Sequence, residues 1–229
     1  MQREQVAPLR DGTVTRLLQQ ANDPERVGVY LDGEGAFTLA MDIAIAAGLH
    51  VGLPLSAERQ EVLLDQDRIA RARVAALGYL AASARTAMEI RRSLRRRGFD
   101  DAVADDVVEW ARERGYVNDS EYALAYVRAR FGGHGAARLR QDLMRRGVER
   151  EEVDAALAAV LEDADTGEAA LDAAAPRWRA LAGEADSRRR RQKTLEFLVR
   201  RGFSYDDARE AVERLAAEAG ADGHIDDAA

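Results

Sequence analysis

The 229-residue chain has no cysteine, one lysine, three histidines and four prolines, and only 6% of it is aromatic. Without cysteine there is no disulfide, no thiolate nucleophile and no cysteine-ligated zinc. His50, His134 and His224 are too scattered for a histidine-rich metal centre. The glycine-rich segment Gly132–Gly135 is followed by no Lys-Ser or Lys-Thr pair and preceded by no strand pattern, which excludes a P-loop and leaves a turn between helices, with His134 an incidental loop residue. No apolar run approaches the ~18 residues of a membrane span and no charged-then-apolar leader opens the chain, so a cytoplasmic protein without membrane contact is expected. No Ser/His/Asp, lysine-nucleophile or paired-carboxylate spacing stands out. The expectation is a non-enzymatic protein with no catalytic residue, no metal and no cofactor.

What is present is alanine and arginine. Forty-five residues are Ala, so the 47% hydrophobic content holds few bulky side chains; thin, closely packed helices fit better than one thick core. Thirty-three of the 34 basic residues are Arg. The net charge of −7 is uneven: residues 68–117 hold 11 basic against 7 acidic groups, whereas residues 1–67 hold 5 against 11.

Residues 1–67 read as a small α+β module. Val27–Leu39 is a run of β-formers broken by Asp32 and Gly33, a hairpin signal; Thr13–Gln20 supplies a third strand. Ala40–Ala47 is predicted helical with Gly48 as a left-handed cap, and a charged helical stretch follows Pro54 and Ser56 to about Arg68.

From Arg68 the chain repeats. Leu94, Arg96, Arg97, Gly98 and Phe99 recur as Leu143, Arg145, Arg146, Gly147 and Val148, and again as Leu198, Arg200, Arg201, Gly202 and Phe203. Apolar pairs follow each glycine at a fixed distance: Val107 and Val108, Ala156 and Leu157, Ala211 and Val212. Three helices per repeat are predicted: 68–82, 86–97 and 101–114; 119–131, 135–146 and 150–161; 165–181, 187–201 and 205–219. Thr86 with Glu89, Ser204 with Asp207 and, more loosely, Asn118 with Glu121 have capping-box spacing. The fold predicted is mainly α: three tandem three-helix repeats (68–117, 118–163, 164–219) in an elongated solenoid-like body, after the α+β module and before a disordered tail at 220–229.

A helical wheel over 86–97 extended back to Arg85 places Arg85, Arg92 and Arg96 opposite Ile90 and Leu94, with Arg91 and Arg95 on the shoulder. Arg138 and Arg145 fall on the equivalent face of the second repeat. Arg188, Arg189, Arg190, Arg191 and Lys193 crowd the corresponding helix of the third, with Arg200 later. Planar guanidiniums at this density suit phosphate or carboxylate, and these residues are the candidate binding set. The Arg pairs before each glycine serve equally well as cations at a helix C-terminus, and Asp100, Asp101, Asp105 and Asp106 as acids in a first turn rather than metal ligands. Tyr79, Trp110, Tyr116, Tyr122 and Tyr126 are expected in core or inter-repeat packing.

Ala76–Leu80, Arg85, Thr86, Glu89–Arg91, Leu94, Gly98 and Phe99 resemble the opening repeat of the RecX family of recombinase regulators. Gly115–Asp119, Tyr122, Ala123, Ala125–Val127, Arg130, Gly132, Gly135, Arg138, Leu139, Leu143, Gly147 and Val148 resemble its second repeat, and Phe197–Tyr205 its C-terminal motif. The resemblance covers about residues 70–216. It implies a non-enzymatic negative regulator that binds the filament of RecA, the bacterial recombinase, on single-stranded DNA, in its groove or at its end. Such a regulator restrains ATPase, strand-exchange and coprotease activities in DNA repair, recombination and the SOS response. The alternative is a sequence-nonspecific DNA-binding protein gripping the phosphate backbone directly through its tandem helical units. Nothing resembles a self-complementary apolar strip, so a monomer is expected.

Overall fold

A computed structural model describes residues 9–222. Among them lie four strands and ten helices: β1 Gly12–Gln20, β2 Asp23–Leu31, β3 Glu34–Ala40, α1 Met41–Ala46, β4 Pro54–Leu55, α2 Ala57–Leu80, α3 Ala87–Arg96, α4 Asp101–Glu113, α5 Asp119–Arg130, α6 Ala136–Arg145, α7 Arg150–Leu161, α8 Thr166–Ala180, α9 Ser187–Arg200 and α10 Tyr205–Asp222. The chain folds as two compact units. The first takes the residues up to Ala82 and Arg91–Trp110; the second takes Ser83–Ile90 and everything from Ala111 on.

In the first unit an antiparallel sheet of order β3-β2-β1-β4 buries Val14, Val27, Val29, Leu31, Phe37, Leu39 and Leu55 with Ala44 and Leu63. The β2–β3 hairpin turns at Asp32 and Gly33, both with positive φ (51° and 92°), the geometry whose twist matches the flanking strands. Two helical stretches were predicted between Ser56 and residue 82; they are one helix, α2, started by the Ser56 hydroxyl, which accepts from the Arg59 amide at 3.2 Å. Nothing between Ser56 and Ala81 breaks a helix, and the polar run around Asp67 is a tie rather than a linker. Asp67 is 3% exposed, accepts from the Ala40 amide (2.7 Å) and pairs with Arg26 (3.0 Å). Further along, α3 and α4 are tied by ion pairs of Arg91 with Asp105 and Arg95 with Asp101.

The second unit holds two cores. Ala123, Val127, Leu139, Leu143, Val153 and Leu157 build one from α5–α7; Ala170, Ala174, Trp178, Leu198, Phe203 and Ala211 build the other from α8–α10. Phe131 packs against both. The predicted caps are present in graded form. Thr86 and Glu89 exchange both bonds of a capping box, whereas Asn118 accepts from Glu121 one way only. At Ser204 the hydroxyl caps the Asp207 amide, and Asp207 answers through its side chain. α10 continues to Asp222, through the first residues of the predicted tail; residues 223–229 lie outside the described ones.

The repeated glycines have positive φ, as expected of residues just past a helix end (Gly98 91°, Gly147 84°, Gly202 86°). Two of them also receive the start of another helix. At Gly147 an added Cβ would overlap Met88 of α3. Beside it the Thr86 hydroxyl donates to the Arg146 carbonyl (2.7 Å), and the Arg146 guanidinium meets Glu89 at 2.6 Å. At Gly202 an added Cβ would overlap the Arg138 backbone at the start of α6. There the Gly135 amide donates to the Arg201 carbonyl (2.9 Å), the Ala137 amide to the Gly202 carbonyl (3.2 Å), and the Arg201 guanidinium to the Gly133 carbonyl (3.0 Å). The Gly132–Gly135 segment is the turn between helices that was expected, and through Gly133 and Gly135 it is also a docking surface for the third repeat, with His134 half-buried within it.

Two outcomes are expected. In urea titrations Gly98→Ala should cost about 1–2 kcal/mol from left-handed strain alone, because nothing stands within 4 Å of its missing Cβ. Gly147→Ala and Gly202→Ala should cost roughly 1–3 kcal/mol more, from overpacking on Met88 and Arg138. Burial, and then the neighbouring Arg201, hold the His134 imidazole below its ordinary 6.5. The folded chain consequently binds fewer protons than the unfolded one, and stability should rise with pH through the window at and below 6.5. His134→Gln should flatten that slope in thermal melts run between mildly acidic and neutral pH.

Candidate binding surface

The predicted arginine set divides once its surroundings are seen. Arg85 is not on the α3 stripe: Thr86 caps the helix and Ala87 begins it, so Arg85 precedes the cap and points elsewhere. It lines a cleft of about 440 Å³ with Tyr116, Tyr122, Tyr126 and Arg130. On α3 itself Ile90 and Leu94 are buried as the wheel requires, while Arg92, Arg95 and Arg96 are exposed.

Many of the cations already face an acid. Arg91 and Arg95 hold Asp105 and Asp101; Arg138 (3.2 Å) and Arg145 share Asp142. Arg189 meets Asp186 at 3.6 Å, Lys193 meets Glu184, and Arg200 meets Glu196 at 3.9 Å. The Lys193 ammonium holds the Glu184 carboxyl below the usual range. Arg190 is a structural residue: its guanidinium lies 4.0 Å over the Trp178 ring and donates to the Trp178 carbonyl at 2.8 Å. Arg188 and Arg191 are exposed. Exposed pairs of this kind contribute about 0–1 kcal/mol each, so a partner's carboxylate or phosphate can exchange with the resident acid at small cost. What the surface offers is interleaved charge, not a bare cationic stripe.

In two of the three repeated pairs the second arginine has a further role that helix-end charge alone does not describe. Arg146 and Arg201 reach across to the preceding repeat, whereas Arg97 is exposed. Asp100 caps α4 by accepting from the Val103 amide (2.9 Å), which, with Arg68 alongside, holds its carboxyl low. Asp119, 6% exposed, accepts from the Ala87 amide (2.9 Å) and from Arg112 (3.3 Å).

The aromatic expectation holds in part. Tyr126 is buried and stacked on Tyr122 (6.1 Å between centroids, 24° between planes), with Arg130 4.0 Å and Arg146 5.3 Å from its ring. Trp110 lies under Arg73 at 5.1 Å. Tyr116, however, is 51% exposed at the cleft mouth. Burial, and secondly Glu89, push the Tyr122 phenol up. The signal for this cleft was the tyrosine spacing around Asn118; helix periodicity alone made it look like core.

Known proteins share this succession of three-helix domains. The chain matches the first, second and third three-helix domains of RecX over residues 72–110, 118–157 and 164–212. It is 26% identical over 201 residues to the regulatory protein RecX of Clostridium botulinum (strain Eklund 17B / Type B), covering 87% of this chain and 94% of that one. With the regulatory protein RecX of Bacillus cytotoxicus it shares 26% identity over 211 residues, 90% of this chain and 77% of the relative. A crystal structure of a regulatory protein RecX superposes with a TM-score of 0.67 at 25% identity, over 86% of this chain and 96% of that one. That of RecX from Lactobacillus salivarius shares the fold, at a TM-score of 0.57 and 23% identity, over 66% of this chain and 97% of that one. A glycine-punctuated series of three-helix domains, matched domain by domain and in order, makes this chain a member of the RecX family of regulatory proteins.

Proposed function

We propose that this chain is a non-enzymatic negative regulator of the RecA recombinase. It binds the RecA–single-stranded-DNA filament, in its groove or at its end, and restrains ATP hydrolysis, strand exchange and coprotease activity in the cytoplasm. Beyond family membership, the observation that supports this reading is the interleaved charge of the repeats. Each arginine-bearing face carries its own acids, which suits a protein surface of mixed sign better than a bare polyanion. Arg92, Arg95 and Arg96 on α3, Arg145 on α6, and Arg188, Arg189, Arg191, Lys193 and Arg200 on α9 are the exposed members of the candidate set.

A second reading, direct contact with DNA, is favoured by one feature: the cleft in which Tyr116 and Tyr122 stand beside Arg85 and Arg130. Aromatic faces next to guanidiniums are what single-stranded bases and phosphates engage. The overall charge of −7 opposes it.

Added substoichiometrically to cognate RecA on single-stranded DNA, the chain should inhibit ATP hydrolysis. Absence of inhibition at concentrations that saturate co-sedimentation would overturn the proposal. Arg92→Glu with Arg96→Glu should weaken inhibition roughly tenfold, the ~1.4 kcal/mol expected of two lost surface contacts, with helicity unchanged by circular dichroism. For the second reading, a gel shift of the chain alone on single-stranded DNA across a salt series decides. Affinity that falls steeply with salt and is lost in Tyr116→Ala supports it, and no shift at low salt removes it.

A further inference from the structure

The two junctions of the second unit are one device used twice. The acceptor is the helix end that carries Arg-Arg-Gly; the donor is the first turn of the middle helix of the preceding repeat. A third acceptor is present and open. Gly98 has the same backbone conformation as Gly147 and Gly202, with nothing within 4 Å of where its Cβ would stand. Arg97 and Phe99, its neighbours, line a groove of about 940 Å³ together with Val74, Gly78, Asp42 and Ile45. Val74 and Ile45 are each 71% exposed, an unusual state for β-branched aliphatic side chains standing side by side in one groove.

A matching donor is also free of any such use. α9 is the middle helix of the third repeat, and no further repeat follows α10 among the described residues. Its first turn, Ser187, Arg188 and Arg189, is exposed. Charge is interleaved on both sides. The donor turn brings Arg188, Arg189 and Arg191 beside its capping Asp186, and the groove sets Asp23, Glu25 and Asp42 among Arg71 and Arg97, its Arg26 being committed to Asp67.

We propose that the open acceptor at Gly98 takes the first turn of α9 from a second copy of the chain, so that copies add head to tail. The contact is heterologous: donor and acceptor are different surfaces, and joining two copies leaves one of each exposed for the next. Within the chain a junction is a glycine contact with three or so hydrogen bonds, held together by covalent continuity. Between molecules the same contact must overcome lost translational freedom, so it is weak in dilute solution and grows with local concentration.

The absence of cysteine makes the test clean. Val74→Cys and Arg188→Cys in the same chain, treated with a short bismaleimide at rising protein concentration, should give a ladder of dimers, trimers and longer species on denaturing gels. Val74→Cys with Arg209→Cys, whose second site is an exposed position on α10, should give none beyond the background of the single variants. Glu25→Arg with Asp42→Arg should abolish the ladder, and should remove any concentration-dependent rise in sedimentation coefficient of the cysteine-free chain. A ladder no stronger than the Arg209 control overturns the proposal. So does a chain that stays monodisperse while Val74→Arg weakens filament inhibition, which would assign the groove to the recombinase. No recombinase enters the cross-linking arm, so its outcome is independent of the regulatory reading.

Discussion

The close approach of another helix's first turn to Gly147 and Gly202, through the Met88 side chain at the one and the Arg138 backbone at the other, is the constraint on which the second unit depends. An α-helix ends with carbonyls that its own ladder cannot satisfy, and begins with amides in the same condition. Here one deficit partly answers the other: the amides of Gly135 and Ala137 meet the carbonyls of Arg201 and Gly202. Such a fit needs a residue with positive φ and no side chain at the point of contact. That is why the glycine recurs at this place, and why the arginine before it is turned toward the neighbouring repeat and not left to solvent.

This arrangement also accounts for the composition. Ala170, Ala174, Ala208 and Ala211 sit fully buried where larger side chains would hold the helices apart. Bulk is supplied sparingly by Leu139, Leu143, Leu157 and Leu198, each at the point where three helices of a repeat converge. A thin core of this kind gains little from area alone, so directional contacts at the junctions carry a larger share of the specificity. The ion pairs outside them, on exposed faces, add little stability and remain free to exchange with a partner.

Most helices were legible because their signals are local. Thr86, Asn118 and Ser204 announce starts, and glycines after Arg announce ends. What was not legible depends on long-range partners. Thr86 meets a carbonyl 60 residues away, and no pattern near Thr86 or Arg146 shows it. Asp67 looks like solvent-facing charge until Arg26 and the Ala40 amide are brought beside it. Of the candidate set, Arg92, Arg95 and Arg96 lie on the exposed face of α3 that periodicity indicates. Arg85 was misplaced because the wheel ran through its own capping residue, and Arg190 because nothing in a run of four arginines reveals that one of them covers Trp178.

The unbroken helix α2 has a consequence for how this protein can be cut. A truncation placed at the compositional boundary near residue 67 would behead a helix in mid-course and leave the first repeat with a raw end. An incision eleven residues earlier, at the Ser56 cap, keeps the whole rod of roughly 36 Å but parts buried Asp67 from Arg26 and the Ala40 amide, which lie on the sheet side of the cut. The N-terminal module is thus less an appendage than a buttress.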